Sequence, residues 1–337
     1  MSDAIPGPRS LGTLSERRVQ QQWPADREFK ILSIDGGGIK GIFPASVLAE
    51  LEERYLNGGP IADHFDLITG TSTGGIVALG LSVGLRARDI ANLYIDRGGE
   101  IFPPYSQTWL GKLRRGWHEA RSFLYYRYDR RALSALLSET FEERLLGESK
   151  ARLCIPSIDG RHGDVYIFKT PHHPDYQKDQ HEKMTTVAMA TAAAPTFFQP
   201  LESSGYRFVD GGLWANNPIM VGLTDALSCF DVNRHSVKVL SLGCGDEPFT
   251  VTDRMIERGG LWPWRKAING AMAYQSKSAL GQAGLLLGAE RVMRITPATI
   301  YPPIRLDDWL KAKEALPREA ADAIRVSGEV IRSEFLY

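Results

Sequence analysis

Cysteine is scarce in this chain of 337 residues, which contains Cys154, Cys229 and Cys244 and no others. The three lie far apart and without the spacing of a metal-binding motif, so we expect reduced thiols rather than a disulfide framework or a zinc site. An excess of charge is also lacking, since Lys and Arg number 40 and Asp and Glu number 40. Binding to nucleic-acid polymers is therefore disfavoured, although a local pocket for a charged ligand is not. We expect neither a metal nor a cofactor.

Long hydrophobic runs are equally rare. Residues 1–20 carry Asp3, Arg9 and two further arginines and lack the apolar core of a secretory signal. The uncharged stretch from Leu67 to Leu85 is rich in Thr, Ser and Gly at its start, which favours a strand, a turn and a buried helix over a membrane span. The predicted location is the cytoplasm, with any lipid substrate reached at the inner face of the membrane.

The sequence does contain a repeated order of strand, glycine turn and helix. Phe29–Ile34 is a short apolar segment that ends in glycines and is followed by apolar residues at helical spacing, and Phe65–Thr69 enters a second glycine turn and an apolar helix. This alternation predicts an α/β fold with a parallel sheet and crossover helices. Further strands are predicted at Val165–Phe168, Tyr206–Val209, Val237–Leu242 and Arg291–Ile295, and helices within Arg131–Leu146, Thr186–Ala193, Met220–Ser228, Ala267–Gly288 and Leu306–Phe335.

The second glycine turn has the pattern of a nucleophile elbow. Ser72 stands between Gly70 and Gly74, at the junction of an apolar strand and an apolar helix. Flanking glycines allow a sharp turn that presents the serine hydroxyl above the sheet. The alternative is a glycine-rich strand-to-helix turn with an incidental serine.

The first glycine turn suits an oxyanion hole, which a serine nucleophile requires. Residues without side chains at Gly36, Gly37 and Gly38 can bring backbone N–H groups close to a substrate oxygen. Lys40 is predicted either to contact a lipid phosphate or to be a solvated lysine of the first helical turn.

The same glycines, with Gly41, also fit the fingerprint of a Rossmann dinucleotide-binding protein. That fingerprint expects an acidic residue at the end of the next strand, whereas Glu52 and Glu53 lie inside the predicted helix. Asp35, immediately before the glycines, would repel a pyrophosphate. The dinucleotide-binding protein is kept as an alternative.

Asp210 is the candidate general base. It follows the predicted strand Tyr206–Val209, and we expect it at the carboxyl-terminal edge of the sheet together with Ser72. A buried carboxylate can accept the serine proton directly. The alternative is an Asp-Gly turn at a hairpin.

Four sequence blocks together resemble the patatin-like phospholipases. The resemblance implies a three-layer α/β/α fold with a mostly parallel central sheet, a Ser72/Asp210 dyad without histidine, an oxyanion hole at Gly36, Gly37 and Gly38 with Thr73, and hydrolysis of acyl esters of membrane phospholipids. The family more often has Arg at Lys40 and often Ser at Ala192. The blocks are Asp35-Gly36-Gly37-Gly38-Ile39-Lys40-Gly41, Gly70-Thr71-Ser72-Thr73-Gly74-Gly75, Ala190-Thr191-Ala192-Ala193-Ala194-Pro195-Thr196-Phe197-Phe198, and Asp210-Gly211-Gly212 with Asn216-Asn217-Pro218.

A narrower resemblance rests on Ile31 to Pro44 and on the segment from Lys169 to Tyr176. It is to bacterial anti-phage effectors in which a cyclic dinucleotide activates a patatin-like phospholipase. His172 and His173, between two prolines, are interpreted as a rigid surface turn rather than as metal ligands. A binding or storage protein with incidental esterase activity is a further alternative.

The predicted domain organisation is an N-terminal arm (residues 1–28), a catalytic domain (29–245) and a C-terminal helical extension packed on it (246–337). Within the catalytic domain, residues 101–128 form either a lid or a membrane-facing insertion, because aromatic and basic side chains alternate there as in an amphipathic helix. The oligomeric state is left open.

Overall fold

Ten strands occur in the computed structural model, which describes residues 6–9, 18–104, 126–245, 250, 267–298 and 303–337. Eight of them form one central sheet, and the other two, β1 and β8, form a small parallel pair. The strands are β1 (Gln21–Gln22), β2 (Phe29–Ile34), β3 (Leu67–Gly70), β4 (Leu153–Asp159), β5 (Asp164–Lys169), β6 (Leu201–Ser203), β7 (Tyr206–Asp210), β8 (Phe230–Asp231), β9 (Val237–Leu242) and β10 (Val292–Ile295).

The central sheet is mostly parallel, as expected. Its order is β10-β9-β2-β3-β4-β7-β6, and the first five of these strands run in the same direction. Both faces of the sheet are covered, which explains why β2 and β9 are almost continuously buried. The last parallel strand, β10, is contributed by the chain beyond residue 245.

Strand β4 is the point at which the sheet changes direction. One edge of β4 pairs along its length with antiparallel β5. The other edge is shared: β3 pairs in parallel at Leu153 and Cys154, and β7 pairs antiparallel from Ser157 to Asp159. Strands β3 and β7 therefore run towards each other, and their carboxyl ends meet beside β4. The expectation that Asp210 shares the carboxyl-terminal edge of a parallel sheet with Ser72 is wrong, although the two residues do come together.

Helices cover the sheet on both sides and complete three layers. Residues of β2 face two different helical layers. Phe29 and Ile31 pack with the helices at residues 219–229 and 267–287, whereas Leu32 and Ile34 belong to the core formed with the helices at residues 42–55, 73–82 and 309–335. The helices are α1 (Ile42–Tyr55), α2 (Thr73–Ser82), α3 (Ala87–Ile101), α4 (Arg131–Phe141), α5 (Met184–Thr191), α6 (Gly212–Ala215), α7 (Ile219–Cys229), α8 (Ala267–Leu287) and α9 (Trp309–Phe335).

The C-terminal helix α9 lies on α1. Its buried residues recur every three or four positions, as in an amphipathic helix with one apolar face. Gly328 permits a close approach, because a Cβ there would lie 2.4 Å from the Tyr55 hydroxyl. Most of the segment predicted as a lid or membrane-facing insertion, residues 105–125, lies outside the described residues. No described helix combines the length and apolar character that crossing a bilayer requires.

Candidate active site

Ser72 occupies a strained turn between β3 and α2. Its backbone angles are φ 54° and ψ −121°, in a region that non-glycine residues rarely adopt. The turn also requires both flanking glycines. A Cβ at Gly70 would lie 2.2 Å from the Gly74 carbonyl oxygen, and one at Gly74 would lie 2.3 Å from the Ile34 carbonyl oxygen. Such strain persists only where the surrounding structure maintains it, and it is concentrated at functional sites.

The serine turn is held by two threonines. Thr191 accepts a hydrogen bond from the Ser72 amide at 2.9 Å and donates one to the Pro156 carbonyl at 2.6 Å. Thr71 donates to the Ala215 carbonyl at 2.6 Å. Neither contact followed from the sequence pattern, although Thr191 lies in one of the four blocks. The turn is thereby fixed to β4, which also positions Asp210.

Asp210 ends β7 and is 5% exposed. Its carboxylate accepts a hydrogen bond from the Gly212 amide at 2.7 Å and lines the same cavity as Ser72. Burial raises the pKa of Asp210 to about 6, although the Gly212 amide and the nearby Ser72 hydroxyl oppose the rise. A carboxylate with a pKa near neutrality, beside a serine hydroxyl, is suited to act as a general base at pH 7.

The three glycines after β2 lie beside Ser72 but differ in their bonding. The Gly36 amide donates to the Asn216 carbonyl at 2.9 Å and is therefore occupied. Gly37 and Gly38 line the cavity next to Ser72, and their amides have no hydrogen-bond partner within the described part of the chain. Gly38 has a φ of +57°, which favours glycine. Thr73 also lines the cavity and begins α2, where backbone N–H groups lack partners within the helix.

An ion pair anchors the start of this glycine loop. Asp35 is 1% exposed and accepts two hydrogen bonds from the Arg294 guanidinium, at 2.8 and 2.5 Å. Arg294 also donates to the Ser241 hydroxyl at 2.7 Å. Bidentate pairs of this kind fix orientation as well as charge. The loop position thus depends on strand β10, a contact between residues distant in sequence that no local pattern predicts.

Lys40 is 9% exposed, and its ammonium group donates a hydrogen bond to the Gly245 carbonyl. It is therefore not the solvated lysine that was one of the two alternatives. It is also absent from the described residues that line the cavity beside Ser72. The phosphate contact remains a prediction.

The space beside the dyad is apolar and narrow. A cavity of about 70 Å³ is lined by Ser72, Asp210 and mainly apolar side chains. A second cavity of about 20 Å³ continues from it between α2, α3 and α4. The two share the lining residues Ile76, Tyr94, Ile101 and Leu133. Together they mark an apolar path leading from the serine into the helical layer.

One cluster elsewhere has the chemistry of metal ligands. Donor atoms of Cys154, His172 and Asp225 lie within 4.8 Å of one another. However, the Lys169 ammonium contacts the Asp225 carboxylate at 2.6 Å and supplies the positive charge that a metal would bring. The histidine pair is buried here, with His172 and His173 side chains 4% and 2% exposed, so its interpretation as a surface turn is wrong.

A sequence profile of the patatin-like phospholipase family matches residues 32–223. The chain belongs to the patatin-like phospholipase family. It is 37% identical over 254 residues to a cGAMP-activated phospholipase of Vibrio cholerae serotype O1, covering 70% of each chain. It is 34% identical over 318 residues to a protein of the same description from Escherichia coli strain TW11681, covering 88% of this chain and 82% of the relative. A third such protein, from Pseudomonas aeruginosa strain BWHPSA011, is 36% identical over 238 residues, covering 70% and 68%.

Family membership confirms the three-layer α/β/α fold and identifies the chain as a lipid acyl hydrolase. The alternative of a Rossmann dinucleotide-binding protein is thereby wrong. The glycines that suggested it belong to the loop beside the serine turn.

Proposed function

We propose that this protein hydrolyses acyl esters of membrane phospholipids through a dyad of Ser72 and Asp210. The observation that carries the proposal is a buried carboxylate, Asp210, that lines the same cavity as the strained Ser72 turn and whose pKa is raised to about 6. Asp210 is thus ionised at pH 7 yet basic enough to take the serine proton. No histidine is needed for that step.

The reaction proceeds through an acyl-enzyme. Asp210 accepts the Ser72 proton as Oγ attacks the ester carbonyl carbon, and the resulting oxyanion receives hydrogen bonds from the amides of Gly37, Gly38 and Thr73. Gly36 keeps the loop in place through its bond to the Asn216 carbonyl. The carbon–oxygen bond then breaks, and protonated Asp210 returns the proton to the departing lysophospholipid alkoxide. A water molecule, deprotonated by Asp210, attacks the acyl-enzyme, and the fatty acid leaves as Ser72 regains its proton.

The apolar path beside Ser72 accommodates the acyl chain. Leu133 and Ile76 line both of its cavities, between helices α2, α3 and α4. The larger cavity, at about 70 Å³, is far smaller than the roughly 300 Å³ at which ligand sites begin. Substrate entry therefore requires these helices to move apart. The described arrangement is a resting state with low activity.

A cyclic dinucleotide shifts the enzyme from this resting state to an active state in anti-phage defence. Support comes from the three bacterial relatives described as cGAMP-activated phospholipases, one of which aligns with 88% of this chain. A phospholipase that acts on the inner face of its host's own membrane requires an inactive state. Such a switch works only if the nucleotide binds the active arrangement more tightly than the resting one.

The test is hydrolysis of phospholipid vesicles by the purified protein, with and without cGAMP, c-di-GMP and c-di-AMP. We expect fatty acid release that a cyclic dinucleotide increases at least tenfold, and complete loss in Ser72→Ala. Covalent labelling by a fluorophosphonate probe identifies the nucleophile and should disappear in the same variant. Labelling without turnover under any of these conditions would favour the binding or storage protein. Unchanged hydrolysis in Ser72→Ala would refute the dyad.

A further inference from the structure

A large polar cleft lies at the opposite end of the sheet from Ser72. Its cavity volume is about 860 Å³, within the roughly 300–1,000 Å³ of small-molecule sites. Asp66 and Arg152, which line it, immediately precede β3 and β4. Ser82, the last residue of α2, and Arg86, which precedes α3, lie on another side. We call this the basal cleft.

The basal cleft carries an excess of positive charge. Four cationic side chains line it against two carboxylates, Asp63 and Asp66, so two positive charges remain unbalanced. Arg27 pairs with Asp66, and Arg152 donates to the Asp66 carbonyl at 3.1 Å. The other two cations are Arg86 and Lys150, which are exposed and whose side chains have no hydrogen bond or ion pair with any residue that the structure describes.

This excess charge is only partly offset by the protein itself: the buried Glu52 carboxylate interacts electrostatically with Arg86 but does not line the cleft. Burial lowers the pKa of Arg152, and the nearby Arg27 charge lowers it further, while Asp66 opposes the effect. Two guanidinium groups therefore stand close together beside two unpaired cations. An anionic ligand with two charges would balance the group, and arginine also stacks on purine bases.

We propose that the basal cleft binds the activating cyclic dinucleotide. This assignment rests on the proposed function and gives its regulation a location. A cyclic dinucleotide has two phosphodiester charges, which match the excess, and a purine that the exposed Arg86 guanidinium can stack on. The Arg27 and Arg152 guanidinium groups already lie over the Trp23 ring. A phospholipid head group would also bring acyl chains, yet none of the exposed large apolar side chains of the described residues lines the cleft.

Elements that line the basal cleft continue to the active site. Helix α2 spans about 15 Å from the serine turn to Ser82 in the cleft. Helix α3 starts after Arg86 and carries Tyr94 and Ile101, which line the apolar path. Ligand contacts at the exposed Arg86, which directly precedes α3, can thus favour a position of α3 in which the acyl path is wider.

Direct binding tests the assignment. Isothermal titration of cGAMP into the Ser72→Ala protein avoids lipid damage during preparation, and the double variant Arg86→Gln/Lys150→Gln is titrated on the same background. We expect the dissociation constant to rise at least tenfold, since charge-assisted contacts to phosphate are lost. In the wild-type background the same pair of substitutions should abolish activation by cGAMP.

Matched variants control for charge and folding. Arg318→Gln/Arg325→Gln removes two exposed cations of helix α9, neither of which lines the cleft, and should bind cGAMP as the wild type does. Lys150→Arg keeps the charge and should bind within about threefold. Thermal unfolding midpoints within two or three degrees show that both double variants are folded, as expected for exposed side chains.

Competition distinguishes the source of the phosphate. A linear dinucleotide and inorganic pyrophosphate should displace cGAMP weakly, and phosphatidylglycerol vesicles should not displace it. Displacement by vesicles at least as effective as by cGAMP would instead make the cleft a head-group site. Equal cGAMP affinity in the cleft variant and the wild type, or no binding of any of the three cyclic dinucleotides to the wild type, would overturn the assignment. Binding that depends on the cleft in a protein that hydrolyses no lipid would refute the proposed hydrolysis alone.

Discussion

Asp210 and Asp225 are both buried, at 5% and 3% exposure, yet their surroundings shift their pKa values in opposite directions. Burial raises the pKa of Asp210 to about 6, because only the Gly212 amide and the Ser72 hydroxyl stabilise its charge. Burial also acts on Asp225, but hydrogen bonds and charge from His172 and Lys169 outweigh it and hold the pKa well below its usual range. A buried carboxylate without a cation remains basic, whereas one paired with cations becomes a fixed structural charge.

The difference also separates two uses of polar groups in one domain. The Asp225 carboxylate is saturated: Lys169 and Tyr176 bond to one oxygen, at 2.6 and 2.7 Å, and His172 to the other, at 2.7 Å. Networks of this kind rigidify the fold around them. Asp210 keeps its capacity to accept a proton because its site supplies no ion-pair partner within the described residues. Aspartate is thus suited to proton transfer at Asp210, at the end of β7, and to stabilising the fold at Asp225, in α7.

Replacing the basic carboxylate has the largest expected effect. Asp210→Asn preserves shape and can still accept the Gly212 amide hydrogen bond, but an amide cannot take the serine proton. We expect kcat/KM to fall by about 10³, in the middle of the range of general-base contributions, with an unchanged thermal midpoint. Initial-rate kinetics on short-chain phospholipid measure it. A folded variant with more than a tenth of wild-type activity would show that Asp210 is not the base.

Replacing the paired carboxylate should instead reduce stability. Asp225→Asn leaves Lys169 with an uncompensated buried charge, and breaking such a pair costs about 3–5 kcal/mol of unfolding free energy. Urea unfolding at pH 7 measures this, with the exposed Asp231→Asn as the control.

The loss of unfolding free energy in Asp225→Asn should depend on pH, in a direction set by the lowered pKa of Asp225. Because the folded-state pKa of Asp225 is depressed, its contribution is present above the unfolded value near 4 and is lost as the pH falls below it. The difference in unfolding free energy between the wild type and Asp225→Asn should therefore narrow as the pH falls below about 4. Equal stability of the two proteins at pH 7 would show that the network is not structural.

Activity should titrate with Asp210 alone. The base works only when deprotonated, so kcat/KM should fall about tenfold per pH unit below roughly 6 and level off above it. Asp225 stays ionised throughout this window and contributes no inflection. A pH profile between 5 and 8, recorded on a neutral substrate, measures the midpoint. A flat profile across pH 5 to 7 would mean that the Asp210 pKa is not raised.

Local pattern was sufficient to predict the parts of the site that depend on neighbouring residues. The glycines beside Ser72 and after β2 were identified because sharp turns restrict residue type within a few positions. The antiparallel direction of β7 was not predicted, because strand pairing is set by contacts between residues that are distant in sequence. For the same reason, neither the hydrogen bond by which Thr191 holds the serine turn nor the ion pair between Arg294 and Asp35 was predicted. Helix α3 was also missed, although its buried residues, such as Ala87, Ile90 and Ala91, recur at helical spacing.

Removing His235 should have the smallest effect and would separate the dyad from a Ser-Asp-His triad. It is the one histidine that follows Asp210 in the sequence, the order found in α/β hydrolases. It is exposed in a turn before β9, whereas Ser72 follows β3, which runs in the same direction, so the two lie at opposite ends of the sheet. A strand of six residues is about 20 Å long, far beyond hydrogen-bond reach. We therefore expect His235→Gln to retain activity within a few-fold of wild type, whereas loss by about 10³ in a folded variant would establish a triad.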